Sequence, residues 1–195
     1  MPVGWTSASS SRLLFVVAAV FASPVAGALE RSDFAHGFSI EGSVGGVGFV
    51  SVANEVAAPG PIFGADLGYD LFTWLSMRAG FEGSLHETDA APPPPRTTFQ
   101  VYYPSAGMRV LVPLSLRFSI LAEGRGGLAI FEPDILQTYR FDSAGHLSPF
   151  FAAEGGLDVH AWGRRLAWGI KGGYRHLTSV GDGAVAGQVY LRHTF

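Results

Sequence analysis

Apolar and polar residues alternate along most of the chain with a period of two. In the stretch IFGADLGYDL (residues 62–71), the apolar residues F, A, L, Y and L occupy every second position, with G, D, G and D between them. Successive side chains of a β-strand point to opposite faces, so this stretch predicts a strand with one apolar and one polar face. The same pattern predicts eight strands in all, at residues 38–49, 62–71, 75–85, 100–112, 116–130, 149–160, 166–176 and 184–195.

The connections between these predicted strands differ in length. Short ones fall at residues 72–74, 113–115 and 161–165, whereas longer ones run over residues 50–61, 86–99, 131–148 and 177–183. Barrels of the outer membrane have short turns at one end and longer loops at the other, and their strands need about 9 to 11 residues to cross the bilayer. The sequence therefore predicts an all-β fold, an eight-stranded antiparallel up-and-down transmembrane β-barrel.

Aromatic residues favour this barrel over the alternative, a soluble β-sandwich, whose strands also alternate. Aromatic side chains form girdles at both membrane interfaces of such barrels. The predicted girdle at the short-turn end contains Phe72, Trp74, Trp162, Trp168 and Phe195. The predicted girdle near the long loops contains Phe63, Tyr102, Phe131 and Phe150.

The amino-acid composition excludes other classes of protein. Mean hydropathy is +0.26 and only 15% of the 195 residues are charged. The chain contains no run of 18 apolar residues, so a helical membrane protein is excluded. Cysteine is absent, so no disulfide can stabilise the fold.

The first 28 residues have the features of a cleavable signal peptide. Arg12 precedes the apolar run at residues 13–22, and small residues lead to a predicted cleavage after Ala28, leaving a barrel of residues 29–195. Without Arg12 the chain carries 12 Lys and Arg against 16 Asp and Glu, a net charge of −4. That acidic balance argues against a nucleic-acid partner.

Charged residues lie on the predicted inward face of every strand. The interior of an eight-stranded barrel is just wide enough to be filled by side chains, and charges there must pair because an unpaired buried charge is costly. We therefore predict a salt-bridged, largely closed lumen; the alternative is a narrow ion-conducting channel. The predicted lumenal charge network comprises Glu41, Asp66, Asp70, Arg78, Glu82, Arg109, Arg117, Glu123, Arg125, Glu154, Asp158, Lys171, Arg175 and Arg192.

Catalytic chemistry has one weak candidate pair. Parity places His86 inward, and it places His176 and Thr178 outward at the outer end of the seventh strand. This resembles the His-x-Ser arrangement of the outer-membrane lipid A deacylases, which implies a lipid A-modifying enzyme as a further alternative. Thr178 replaces the serine, and the outward face of the eighth strand offers no acid to orient His176. No spacing of histidines predicts a metal site, and no motif predicts a cofactor.

Residues from about 36 to the end resemble the small OmpA-like barrels, the group that includes the OmpX, Ail and opacity-type outer membrane proteins. The resemblance rests on the signal sequence, the eight amphipathic strands, the stretch GIKGGYRH in the seventh strand and a terminal aromatic residue. It implies a bacterial outer membrane location, with four extracellular loops and both mature termini in the periplasm. The implied role is envelope integrity or surface interaction.

The same resemblance implies partners. These are outer membrane lipids and lipopolysaccharide, the barrel assembly machinery, and an extracellular protein ligand. The end of the chain resembles the signal that the assembly machinery reads, with Gln188 and Phe195 fitting the usual pattern. His193 is a partial substitute for an aromatic residue in that pattern, and Tyr190 replaces the usual glycine.

Overall fold

The computed structural model describes residues 37–50, 57–88, 98–132, 146–161, 165–179 and 181–195. The predicted signal peptide and its cleavage site lie outside these residues. Eight strands follow one another: β1 (Phe38–Val50), β2 (Gly60–Phe72), β3 (Leu75–Glu87), β4 (Thr98–Pro113), β5 (Phe118–Glu132), β6 (Leu147–Ala161), β7 (Leu166–Leu177) and β8 (Asp182–Thr194). In the described part of the chain, no helix is long and apolar enough to span a membrane.

The strands form one closed antiparallel barrel in sequence order. Closure comes from β1 pairing with β8, from Ser39 opposite Thr194 to Val50 opposite Gly183. The predicted fold class is therefore confirmed, and every strand boundary lies within two residues of its prediction. Closure matters because it pairs the backbone groups that an open sheet would leave exposed at its edges.

The connection between β7 and β8 is shorter than predicted. It contains four residues, 178–181, as does the turn between β4 and β5 at 114–117. Gly181 has a φ of 67°, a left-handed conformation that glycine adopts without steric cost. Its N–H donates to the carbonyl of Leu177 at 3.0 Å and closes the turn. The longer connections are therefore three: residues 51–59, 88–97 and 133–146.

The outer surface carries the apolar face of each strand. Phe63, Leu67, Phe81, Trp168 and Ile170 are among the large apolar residues exposed on it. The structure also gives Tyr102 the outward parity of its strand, as the predicted outer girdle requires.

The prediction of the girdle near the long loops is wrong for two residues. Phe131 and Phe150 are 3% and 1% exposed and point into the lumen. The reason is the alternation of β6 and β5: Phe151, next to Phe150, takes the outward position and is 64% exposed. Trp162 lies outside the described residues.

The lumen has two layers. At the long-loop end it is filled by a cluster of apolar side chains, which we call the outer apolar cluster. Its members are Val47, Phe49, Ala57, Ile62, Phe99, Val101, Tyr103, Ala129, Phe131, Phe150, Ala152, Leu177, Ala184 and Ala186. Charged side chains occupy the lumen from this cluster toward the short-turn end.

Candidate functional site: the lumenal charge network

Glu41 on β1 is the centre of the buried charges. Its carboxylate accepts hydrogen bonds from the guanidinium of Arg109 at 2.6 and 2.9 Å. Arg78 Nη2 lies 2.8 Å from the same carboxylate, and Lys171 Nζ lies 3.3 Å from it. Residues from β1, β3, β4 and β7 therefore meet at one carboxylate, although they are far apart in the sequence.

A second branch runs from Arg109 through β5 to β2. Arg109 Nε donates to Glu123 at 2.7 Å, and Glu123 also accepts a hydrogen bond from Arg125. The guanidinium of Arg125 in turn donates two parallel hydrogen bonds of 2.8 Å to the carboxylate of Asp66. Paired bonds of this kind fix both groups in one plane and are among the stronger hydrogen bonds in proteins.

Glycine makes room for these long side chains. Gly80 on β3 is opposite Asp66 on β2, and a Cβ added at Gly80 would overlap the Asp66 carboxylate. A larger residue at this position would displace the Asp66–Arg125 pair.

A third branch reaches toward the outer apolar cluster. Arg175 on β7 bridges Glu82 at 2.7 Å and Glu154 at 3.0 Å. Gln188 on β8 donates to Glu82 at 2.8 Å, and Lys171 links Glu154 to the rest of the group at 3.7 Å. The guanidinium of Arg175 also lies over the ring of Tyr103, 5.1 Å from its centroid. This contact joins the charged side chains to the outer apolar cluster.

A separate pair closes the short-turn end. Arg192 on β8 bonds to Asp158 on β6 at 2.6 Å, and the hydroxyl of Tyr190 donates to the other oxygen of Asp158 at 3.0 Å. The ring of Tyr190 lies 5.3 Å from the guanidinium of Arg109 and 6.0 Å from Lys171. Tyr190 therefore separates this pair from the central group and contacts both.

The charges balance. Five acids and five bases make up the connected group, and the Asp158–Arg192 pair adds one of each. Each of these side chains is nearly inaccessible to water. Chemically, this arrangement ties all eight strands together and fills the lumen with paired charge.

One predicted member lies outside the lumen. Arg117 is exposed and lies in the turn before β5, which begins at Phe118 rather than at residue 116, so its predicted place in the lumen is wrong. The hydroxyl of Ser115 accepts hydrogen bonds from the backbone N–H groups of Arg117 and Phe118 at 3.3 and 3.1 Å, and this holds the turn. Asp70 is half-buried at the end of β2, beside a register shift between β2 and β3.

The weak catalytic candidates point outward. His176 and Thr178 are both exposed. The hydroxyl of Thr178 donates to the carbonyl of Pro149 at 2.7 Å, so in this structure its hydrogen is engaged by the backbone. The described residues include no group of three or more His, Asp or Glu side chains placed to hold a metal ion.

A second serine and histidine meet at the short-turn end of the lumen. His160 Nε2 lies 3.3 Å from Ser119 Oγ and 3.6 Å from Asp158 Oδ2. A catalytic triad needs the serine and the acid on different ring nitrogens, so that one orients the ring and the other gives up its proton. Here both approach the same nitrogen, which is the geometry of a structural contact.

The predicted assembly residues lie on both faces of β8. Gln188 points inward, where it bonds Glu82, and His193 points outward. The ring of His193 packs edge-to-face on Phe195 at 4.8 Å, and Phe195 is 63% exposed. Their role as an assembly signal remains a prediction.

Sequence reasoning missed the outer apolar cluster. The signal was present, because stretches such as FFAA at residues 150–153 are apolar on both parities, which indicates burial on both faces. His86 has the inward position predicted for it and lies within this cluster, between the rings of Phe49 and Phe99 at 4.9 and 5.1 Å. Its nitrogens contact the carbonyl of Ala58 and the hydroxyl of Ser84, both at 2.9 Å.

A closed eight-stranded antiparallel barrel with an apolar exterior and buried salt bridges is the architecture of the small outer membrane β-barrels, and the chain has that fold. It is similar to the crystal structure of Neisserial surface protein A, with a TM-score of 0.63 and 14% identity over 83% of this chain and 99% of that one. It is also similar to the outer membrane protein OprG from Pseudomonas aeruginosa, with a TM-score of 0.60 and 10% identity over 83% and 98% of the two chains. No family model and no curated protein matches the sequence.

Proposed function

We propose that this protein is a closed scaffold of the bacterial outer membrane that displays loops at the cell surface and contributes to envelope integrity or surface interaction. The observation that carries the proposal is the filling of the lumen. The outer apolar cluster occupies the long-loop end, and the balanced charges occupy the rest. A hydrated ion needs a continuous wet path, which neither packed apolar side chains nor paired buried charges supply.

The proposed orientation places the three longer connections outside the cell and the short turns and termini in the periplasm. The asymmetry between residues 51–59, 88–97 and 133–146 at one end and the short turns at the other supports it. In this arrangement the partners are outer membrane lipids and lipopolysaccharide around the barrel, the assembly machinery at insertion, and an extracellular protein ligand at the loops.

Conductance tests the closed lumen. We expect the purified protein in planar bilayers to give no stable open state, while a large porin reconstituted in parallel gives steps of pore size. A porin-sized conductance from this protein would refute the scaffold proposal. A small, charge-selective conductance would favour the narrow channel instead.

Trypsin tests the orientation, because arginines lie at both ends of the barrel. Arg96 and Arg140 belong to long connections, whereas Arg117 and Arg165 belong to short turns. On intact cells we expect cleavage after Arg96 or Arg140 only, and cleavage after Arg117 or Arg165 once the outer membrane is permeabilised. The reverse order of cleavage would overturn the orientation and leave the conductance result unaffected.

A further inference from the structure

The connections at the two ends of the barrel carry opposite charge. The long connections and the strand ends that border them contain six acids and two bases: Glu55, Glu87, Asp89, Glu132, Asp134 and Asp142, with Arg96 and Arg140. Of the three short turns at the opposite end, those between β4 and β5 and between β6 and β7 contain arginine, and none of the three contains an acid. The closed lumen does not use these turn arginines, so they need another explanation.

Arg117 and Arg165 are the turn arginines that the structure describes, and both are exposed. The carbonyl of Arg117 accepts a hydrogen bond from His160 at the end of β6, at 2.8 Å. The carbonyl of Arg165 accepts one from Thr194 at the end of β8, also at 2.8 Å. The backbones of both residues are therefore fixed against neighbouring strands, with their side chains free to face the surrounding medium.

The two arginines lie in the same sector of the barrel. Arg117 immediately precedes β5 and Arg165 immediately precedes β7, with β6 between these strands. Strands are spaced about 4.8 Å apart and Arg165 lies two residues further along the strand direction than Arg117, so the two backbone positions are about 12 Å apart. That separation brings both guanidinium groups within reach of the same small patch of lipid headgroups.

An apolar row borders the arginines on the lipid-facing surface. Strand register aligns Phe118, Val159, Trp168 and Leu191 across β5, β6, β7 and β8. Phe118, Trp168 and Leu191 are each about half exposed. Tryptophan prefers the boundary between headgroups and acyl chains, so this row marks the depth at which the headgroup region begins.

We infer that this sector is a binding surface for anionic phospholipid, with Arg117 and Arg165 pairing with the headgroup phosphate and the apolar row contacting the acyl chains. A guanidinium group can donate two parallel hydrogen bonds to a phosphate group. Each basic residue near an anionic membrane surface also adds to the affinity of the protein for that surface. In the orientation proposed above, the lipid belongs to the periplasmic leaflet; the binding chemistry itself does not depend on that orientation.

Tryptophan quenching by brominated lipid tests the inference on the purified, folded protein. Trp168 lies in the row, and Trp74 and Trp162 are the other tryptophans after the predicted signal peptide, so the measurement uses a background with both Trp74→Phe and Trp162→Phe. In bilayers that mix phosphatidylglycerol and phosphatidylcholine, with either one brominated, we expect quenching to give a preference for phosphatidylglycerol. That preference should fall as salt is raised, because exposed charges are screened.

Charge-removing variants identify the residues responsible. Arg117→Gln and Arg165→Gln should each lower the preference about fivefold at low salt, and together they should abolish it. Arg165→Lys should retain most of it. The matched control is Arg96→Gln, in a long connection at the other end, which should leave the preference unchanged.

Three outcomes would overturn the inference. One is equal quenching by both lipids in the parent protein, which would mean that the arginines bind a partner other than anionic lipid, such as an acidic protein. Another is an unchanged preference in the double variant, and the third is an equal loss with Arg96→Gln. Heat-modifiable gel mobility checks that each variant has folded, and none of these results bears on conductance or on trypsin accessibility.

Discussion

At the scale of single residues, the lumen depends on a few carboxylates that several bases share. Glu41 contacts Arg78, Arg109 and Lys171 at 2.8, 2.6 and 3.3 Å. Transferring a charge out of water is costly, and mutual pairing offsets that cost only while the charges stay balanced. The loss of one acid therefore affects every base around it.

We predict that Glu41→Gln lowers the free energy of unfolding by about 3 to 5 kcal/mol, because it leaves a buried positive charge uncompensated. Urea unfolding in lipid vesicles measures this. The control is Glu132→Gln at the exposed end of β5, which should change stability by less than about 0.5 kcal/mol. Adding Lys171→Met to Glu41→Gln restores the balance and should recover part of the loss; equal costs for the two glutamates would contradict the network.

At the scale of elements, each strand assigns neighbouring residues to different surroundings. On β6, Phe150 is buried in the outer apolar cluster and contacts the ring of Tyr103 edge-to-face at 5.5 Å. Its neighbour Phe151 is outward and 64% exposed. The same residue type therefore packs against protein at one position and faces lipid at the next.

Truncating each phenylalanine separates these roles. Phe150→Ala should cost about 3 to 5 kcal/mol, since it removes a buried aromatic ring and leaves a cavity in the cluster. Phe151→Ala removes a ring that already faces the medium and should cost clearly less. Denaturant midpoints of the two variants in the same lipid give the comparison, and a larger loss at residue 151 would mean that the facing of β6 is reversed.

At the scale of the whole molecule, the exterior forms an apolar band between two ends of different character. Leu67 lies outward near the middle of β2 and is 59% exposed, whereas Leu116 is 50% exposed in the turn before β5. The two leucines are similarly exposed, but we expect Leu67 to lie near the middle of the bilayer and Leu116 near its surface. The cost of placing a charge on the lipid face depends on depth, being largest at the middle of the bilayer.

Depth is tested by the same substitution at both positions. Leu67→Arg should lower stability by about 2 to 4 kcal/mol and Leu116→Arg by about 0 to 1 kcal/mol. Unfolding in vesicles measures both, and in detergent micelles the difference should shrink because micelles adapt around a charge. Equal costs in vesicles would show that β2 is not centred in the bilayer.

Particular residues show how far the sequence can be interpreted. Strand positions and inward parity placed Glu41, Asp66 and Arg109 on the lumen face, because a period of two depends only on local backbone geometry. Arg117 was misassigned because β5 begins two residues later than the alternation indicated, and the hydroxyl of Ser115 holds the turn that precedes it. Phe150 was misassigned because an aromatic residue suits a girdle and a packed lumen equally well.

The sequence by itself determined the class of fold, since alternation over eight segments of membrane-spanning length leaves few other architectures. Only the tertiary structure decided which charges meet. Glu41 and Lys171 are 130 positions apart and touch because β1 closes on β8, which β7 adjoins. It also decided the division of the lumen into an apolar and a charged layer, because that division depends on how far along the barrel axis the strand register sets each residue.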